Sequence, residues 1–388
     1  MTPISRLAAR AKSALRKVPA AAAVNAAVRA RATVAAYRTL VAHYAATPPH
    51  AGPVPQVRTG ARRPRVLFIG TDESQDRSGF IQGLERVSDL TLFTRADGGY
   101  GHNDLRAPAI RRAANRDRLL EILGAMAAAG TPPDIVLAQT WATLIDPVAF
   151  DAARRGGAVV VNLSLDDRHQ FRGRREGFGW SGTLGLIGHV DLALTAAPEC
   201  VHWYEAEGCP ALYFPEASDP DIFRPIPGLP KVHDVSFVGG CYGVRERTVR
   251  TLRRAGIRVA AFGSGWEGGR IDNAEMVRLF VQSKVVLGVG TIGHCTDFFA
   301  LKLRDFDAPM SGSAYLTHDN VDLHGLYEVG REIATYRDID ECVDRTRALL
   351  ADDDARECMA RAGRDRALRE HTWDRRFGDL FRQLGVAA

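Results

Sequence analysis

From Arg65 the chain alternates short apolar runs with segments of helical period. The runs VLFIG (66–70), LTLFT (90–94), DIVLAQT (134–140), AVVVNLS (158–164) and VDLALTA (190–196) predict five strands, and Arg111–Ala129 carries a helical pattern between them. After the Pro-rich segment Phe223–Pro230 the alternation restarts with DVSFVG (234–239), IRVAAFG (257–263), KVVLGVG (284–290), SAYLTH (313–318) and REIATY (331–336). Strands that are apolar throughout belong to parallel sheets covered on both faces. Two such series predict an α/β protein of two Rossmann-like domains, with a ligand cleft between the carboxyl ends of the two sheets. The expected domain spans are 63–228 and 229–388, after an arm and linker over 1–62.

The arm reads differently. Ile4, Leu7, Ala8, Ala11, Ala14, Leu15 and Val18 fall on one helical face and Arg6, Arg10, Lys12, Arg16 and Lys17 on the other, with Pro19 ending the helix. A second helical pattern over 20–46 carries Val24, Val28, Val34, Tyr37, Leu40, Val41 and Tyr44, and TPPHAGPVPQ follows as a linker. Residues 1–65 hold twelve Lys/Arg and no acid, so the remaining chain has 39 basic against 46 acidic residues and a net charge of −7. The overall charge of +5 therefore belongs to the arm, and no nucleic-acid partner is expected of the body. A basic amphipathic arm suits an anionic membrane surface through residues 4–46; docking on the body or a partner, and removal as a targeting leader, stay open beside it. Six cysteines without a C-x-x-C pair argue against a zinc ribbon or dithiol site and suit a reducing compartment. The expected location is the cytoplasm, at the inner face of the cell membrane where the arm holds it there.

Candidate chemistry gathers at strand ends. The first turn of the second series, VGGCYGVR, places Gly239, Gly240 and Gly243 before a helix, where backbone approaches a phosphate and Arg245 pairs with it. The turn FGSGWEGG brings Gly263, Ser264 and Gly265 beside it, with Trp266 read either as a base-stacking ring or as packing. Lys302 and Arg304 offer cations for a diphosphate, and Asp307 a carboxylate for ribose hydroxyls. On the first domain Asp166 and Asp167, with His169 behind, end a strand and can orient an acceptor hydroxyl or take its proton; capping is the plain alternative. Asp219 and Asp221 form a DxD in a proline-rich turn, and no metal site is expected.

These pieces, ASDPDIFRPI, DVSFVGG followed by Arg245, FGSGW, LKLRDFDAPMSGSAYLT, YEVGREIATY and the closing HTWDRRF (371–377), resemble the glycosyltransferase-type domain of the spore-maturation CgeB-like proteins. Those are relatives of the large retaining nucleotide-sugar glycosyltransferase family with the GT-B fold. The resemblance spans roughly residues 130–380. It implies transfer of a sugar from a nucleotide-diphosphate donor to a glycan, lipid-linked or protein acceptor, with no metal or other cofactor. By position it sets Arg245, Lys302 and Arg304 on the diphosphate, Asp307 on the ribose, Asp166 and Asp167 on the acceptor side, and residues 371–377 at the domain junction. The chain departs from the family pattern at Asp307, usually glutamate, and at Phe299, where wider relatives have a second acid. Those departures motivate a rival reading, a non-catalytic nucleotide-sugar-binding or scaffold protein that keeps the fold.

Overall fold

The computed structural model describes residues 19–60 and 62–386. The first domain holds a parallel sheet of six strands: β1 (Arg65–Ile69), β2 (Asp89–Leu92), β3 (Ile135–Ala138), β4 (Val159–Ser164) and, after a two-residue-stranded hairpin β5 (Arg175–Glu176) and β6 (Gly179–Trp180), β7 (Leu192–Thr195) and β8 (Ala211–Tyr213). Their order is β2-β1-β3-β4-β7-β8. The second sheet joins β9 (His233–Val238), β10 (Val259–Phe262), β11 (Ser283–Leu287), β12 (Ala314–His318) and β13 (Ala334–Tyr336) in the order β10-β9-β11-β12-β13, again all parallel. All ten expected strands form; β8 carried too short an apolar run to be read in advance.

Each central strand divides its side chains between two cores, as a period of two requires. Leu67, Ile69, Val136 and Val160 enter the core on one face of the first sheet, and Val66, Phe68, Ile135 and Val161 the core on the other. Val235, Phe237, Val285 and Leu287 divide from Val286 and Tyr315 in the same way in the second domain. In each sheet the first strand has its successors on opposite sides, β2 and β3 about β1, and β10 and β11 about β9. That reversal of order opens a crevice at the carboxyl ends of the strands.

The chain crosses between domains twice. It leaves the first domain through Pro215–Asp219 and returns at His371–Trp373, and the crossings are tied together: Ser218 N–H donates to His371 O at 2.9 Å and Trp373 N–H to Ser218 O at 3.2 Å. The second domain therefore ends near Glu370 rather than at 388. The last helix, Trp373–Gln383, packs on the helix Phe80–Val87, with Trp373 and Phe377 each 4.9 Å from the Phe80 ring. Its apolar face completes a core that the first sheet cannot close alone.

The helix Pro19–Ala45 lies against both domains. Tyr37 sits 4.6 Å from Phe298 of the second domain and 5.9 Å from Trp203 of the first, and its hydroxyl donates to Glu199 at 2.7 Å. Val34, Tyr37, Leu40 and Tyr44 face the body, whereas Val24 and Val28 are 64% and 58% exposed. The expected helix over 4–18 lies outside the described residues. Among the described residues no helix is long and apolar enough to cross a membrane.

A buried ion pair fastens the same junction. Arg168 of the first domain donates to Asp322 of the second at 2.6 and 2.9 Å, to Glu199 at 2.7 and 3.0 Å, and to Phe299 O at 3.0 Å. Removing one partner of such a pair strands the other charge. Arg168→Met is expected to lower the unfolding free energy by about 3–5 kcal/mol, and Arg168→Met with Asp322→Leu to recover most of that loss. Urea denaturation of both variants checks it; equal losses in the two would contradict it.

Candidate active site

A cavity of about 370 Å³ lies where the two sheets' carboxyl ends face each other. The first domain contributes Asp72, Ser74, Gln75 and Ser78 after β1 and Leu165 and Asp166 after β4. Glu216 comes from the interdomain crossing, and Arg270, Lys302, Arg304 and Asp307 from the second domain. Asn273 Nδ2 donates to Ser74 O across the cleft at 3.1 Å.

The glycine turn after β9 brings two guanidiniums together. A side chain at Gly239 would place its Cβ 3.1 Å from Arg304 Nη1 and 3.4 Å from Arg245 Nη1, so both cations converge over a position only glycine leaves open. Arg245 lies in the first turn of the helix Val244–Arg254 with its guanidinium 4.6 Å over the Tyr242 ring, and Arg304 sits 5.2 Å over Phe237. Neither forms a salt bridge among the described residues, and Arg245 Nε and Arg304 Nε and Nη2 are buried without a hydrogen-bond partner. Burial, and then the neighbouring Arg304 charge, push Arg245 down to about 10, which still leaves it cationic at neutral pH. Lys302 lines the cavity with Arg304; its backbone N–H is held by Asp305 at 2.7 Å, and Asp305 in turn accepts from the Tyr315 hydroxyl at 2.5 Å.

Asp307 also lines the cavity, fully enclosed, and accepts from the Ser218 hydroxyl at 2.7 Å. Burial holds its carboxyl well above the usual carboxylate range. Across the cleft, Asp166 occupies the capping position of the short helix Asp167–Gln170, but its side chain makes no capping bond and stays free for the cavity. His169 follows with Nδ1 buried and unpartnered; burial lowers its pKa, opposed by Asp166 and assisted by Lys302, so the neutral imidazole is favoured.

Three expectations change. Asp167 does not reach the cleft: it is 1% exposed, accepts from the Thr183 and Tyr204 hydroxyls at 2.9 Å each, and is pushed up to about 6 by burial. Trp266 is packing, because its ring meets Phe237 edge-on at 5.9 Å and its indole N–H donates to Gly239 O at 2.8 Å, leaving no face for a base. Gly263, Ser264 and Gly265 brace the first glycine turn from behind. Ser264 O accepts from Cys241 N–H at 2.8 Å, and a Cβ on Gly263 would collide with Gly239 O. Gly240 lies in the braced turn, against Tyr242.

Of the DxD pair, Asp219 is fully buried and accepts from Arg86 Nη2 at 2.8 Å and from Asp221 N–H at 2.9 Å, so it is committed to structure. Among the described residues no group of three or more His, Cys, Asp or Glu side chains is placed to hold a metal ion.

Glu216 was not anticipated. It is 3% exposed, its Oε2 has no partner, and burial pushes its carboxyl up to about 7, with Lys302 pulling down and Asp305 and Asp166 pushing further up. Its signal was positional: it follows the end of β8 at the domain crossing, where a ligand between two facing sheets must pass.

Residues 245–382 match the model of the family described as glycosyl transferase-like. No curated protein matches the sequence. Among solved structures, HepE (Alr3699) of Anabaena in complex with UDP and glucose aligns with a TM-score of 0.59 at 11% identity, over 83% of this chain and 100% of that one. The catalytic domain of starch synthase IV from Arabidopsis thaliana, bound to ADP and acarbose, aligns at 0.57 and 11% identity over 84% and 100%. Sucrose-phosphate synthase from Thermosynechococcus elongatus aligns at 0.55 and 12% identity over 83% and 99%. The chain has the fold of these proteins, the two-domain GT-B arrangement.

A carboxyl whose folded pKa is raised above its unfolded value of about 4.3 stabilises the protein below that value, and the contribution is lost as pH rises towards 7. Glu216→Gln is therefore expected to stabilise the protein at pH 8 by roughly 1–3 kcal/mol, at 1.36 kcal/mol per pKa unit, seen as a higher melting temperature, and to bring little gain at pH 4.5. Thermal melts across that range check it; a gain independent of pH would contradict the buried, unpartnered carboxyl.

Proposed function

We propose that the chain is a nucleotide-sugar-dependent glycosyltransferase of the CgeB-like kind. It would transfer a sugar from a nucleotide-diphosphate donor to a glycan, lipid-linked or protein acceptor without a divalent metal. The observation that carries this reading is the pair Arg245 and Arg304, converging over Gly239 with buried N–H groups and no carboxylate partner. Two adjacent cations held without counter-ions destabilise the free protein, and a diphosphate answers both at once.

In this reading the donor's phosphates lie against Arg245, Arg304, Lys302 and the amino end of the helix Val244–Arg254. When the glycosyl–phosphate bond breaks, its electron pair passes to the phosphate oxygen, and these fixed positive groups stabilise the charge that builds there. Because the cations and helix end supply that stabilisation, no metal is needed. Asp307, steadied by Ser218, is turned to the nucleoside side as a partner for ribose hydroxyls. Asp166 faces from the first domain, where its free carboxylate orients the acceptor hydroxyl, with neutral His169 behind it. Free thiols throughout the chain accord with a cytoplasmic site of action. Contact with an anionic membrane would fall to residues 4–18 and the exposed Val24 and Val28.

A thermal-shift panel of UDP, GDP, dTDP, CDP and ADP, each with magnesium and with EDTA, tests the donor site. One diphosphate is expected to stabilise the protein in EDTA, by about 2.7 kcal/mol at a hundredfold excess over Kd. Arg304→Met is expected to raise the melting temperature of the free protein and to abolish the shift. No shift with any diphosphate contradicts the reading. Diphosphate binding with intact nucleotide-sugars left unhydrolysed and untransferred would favour the non-catalytic alternative.

A further inference from the structure

Glu216 lines the cavity together with Asp166 of the first domain and Lys302, Arg304 and Asp307 of the second. If the donor's phosphates sit at Lys302, Arg304 and Arg245, and the acceptor at Asp166, the group being transferred must lie between them. Glu216, from the crossing between the domains, lines the same cavity, and its Oε2 has no hydrogen-bond partner among the described residues. A buried carboxyl oxygen without a partner destabilises the fold, so a ligand group that meets it gains much of that deficit back.

The chemistry of the surroundings narrows the group. Hydroxyl and amino groups donate to an unpartnered carboxyl oxygen, whereas a carboxylate brings no donor to it. Asp166 and Asp307 add further carboxyl groups to the same wall, and in the reading above Lys302 and Arg304 of that wall are taken up by the diphosphate. Arg270, the cavity's other cation, is not among the largest influences on Glu216.

We propose that Glu216 binds the transferred sugar through its hydroxyl or amino groups, and that the site accepts a neutral or amino sugar and rejects a uronic acid. This rests on the glycosyltransferase reading above. It goes further by assigning the sugar pocket to a residue of the domain crossing.

Titration calorimetry in two series tests it: UDP, UDP-glucose, UDP-N-acetylglucosamine and UDP-glucuronate, and GDP, GDP-mannose and GDP-mannuronate. Each is measured on wild type, Glu216→Gln and Glu216→Leu, with far-UV circular dichroism as the check on folding. In the series that binds, the free diphosphate is expected to hold its affinity within about threefold in both variants. The neutral or amino sugar form is expected to weaken about tenfold relative to its diphosphate in Glu216→Leu, and to stay within about threefold in Glu216→Gln, which keeps the hydrogen-bonding shape. In wild type the uronate is expected to bind about tenfold more weakly than its neutral counterpart, a comparison that stands even if Glu216→Leu does not fold. An unchanged ratio of sugar to diphosphate affinity in Glu216→Leu, or a uronate bound as tightly as the neutral sugar, overturns the proposal and leaves the donor reading standing. Failure of UDP, GDP, dTDP, CDP and ADP alike to bind wild type overturns the donor reading and this proposal with it, and where the base is one of the last three the same comparison is made on that base's sugars.

Discussion

Two guanidiniums held side by side in a protein interior repel each other and lose solvation, and the second domain is built around that cost. Arg304 and Arg245 meet over Gly239, where a Cβ would come within 3.1 and 3.4 Å of their Nη1 atoms. The turn that keeps Gly239 in place is itself held by Ser264 O and by the Trp266 indole, so the second glycine turn serves the first. The rings of Tyr242 and Phe237 give each cation a π face in place of a counter-ion. Arg245 stands in the first turn of the helix Val244–Arg254, so the unpartnered N–H groups lie by a helix amino end.

The first domain is joined to this centre by connections that themselves carry site residues. Ser218 hydrogen-bonds the returning chain at His371 and Trp373 through its backbone, and holds Asp307 with its hydroxyl. Two residues earlier the same crossing supplies Glu216. Arg168 fixes Asp322 and the Phe299 carbonyl from the other domain, and Tyr37 of the arm helix reaches the same network through Glu199. The Phe299 side chain, standing where relatives of the resembled family carry an acid, lies 5.3 Å from the His318 ring. A carboxylate there would have to displace a packed aromatic contact. The geometry of the cleft is thus set by the junction as much as by either sheet.

Ten of the sheet strands, the two-domain division and the cationic turn were legible in the sequence because each depends on near neighbours along the chain: apolar runs, glycines, and a basic pair two residues apart. What was not legible depends on distant partners. Trp266 reads as a candidate stacking ring until Gly239 O, 27 residues away, is seen to take its N–H. Asp166 and Asp167 are indistinguishable in sequence; Thr183 and Tyr204 draw one inward and leave the other at the cavity. Trp373–Gln383 looks like the last helix of the second domain and packs on the first, since Phe80 and its neighbours supply the apolar surface its face requires. Glu216 follows a three-residue strand too short to leave a pattern.

The central claim, that the unpartnered guanidiniums are the donor's diphosphate site, is tested most directly by a crystal structure of the protein grown with UDP or GDP in EDTA. The account expects phosphate oxygens within hydrogen-bonding distance of both Arg245 and Arg304, with Lys302 alongside and the ribose towards Asp307. A nucleotide bound elsewhere, or both guanidiniums paired with carboxylates of the protein itself, would contradict it.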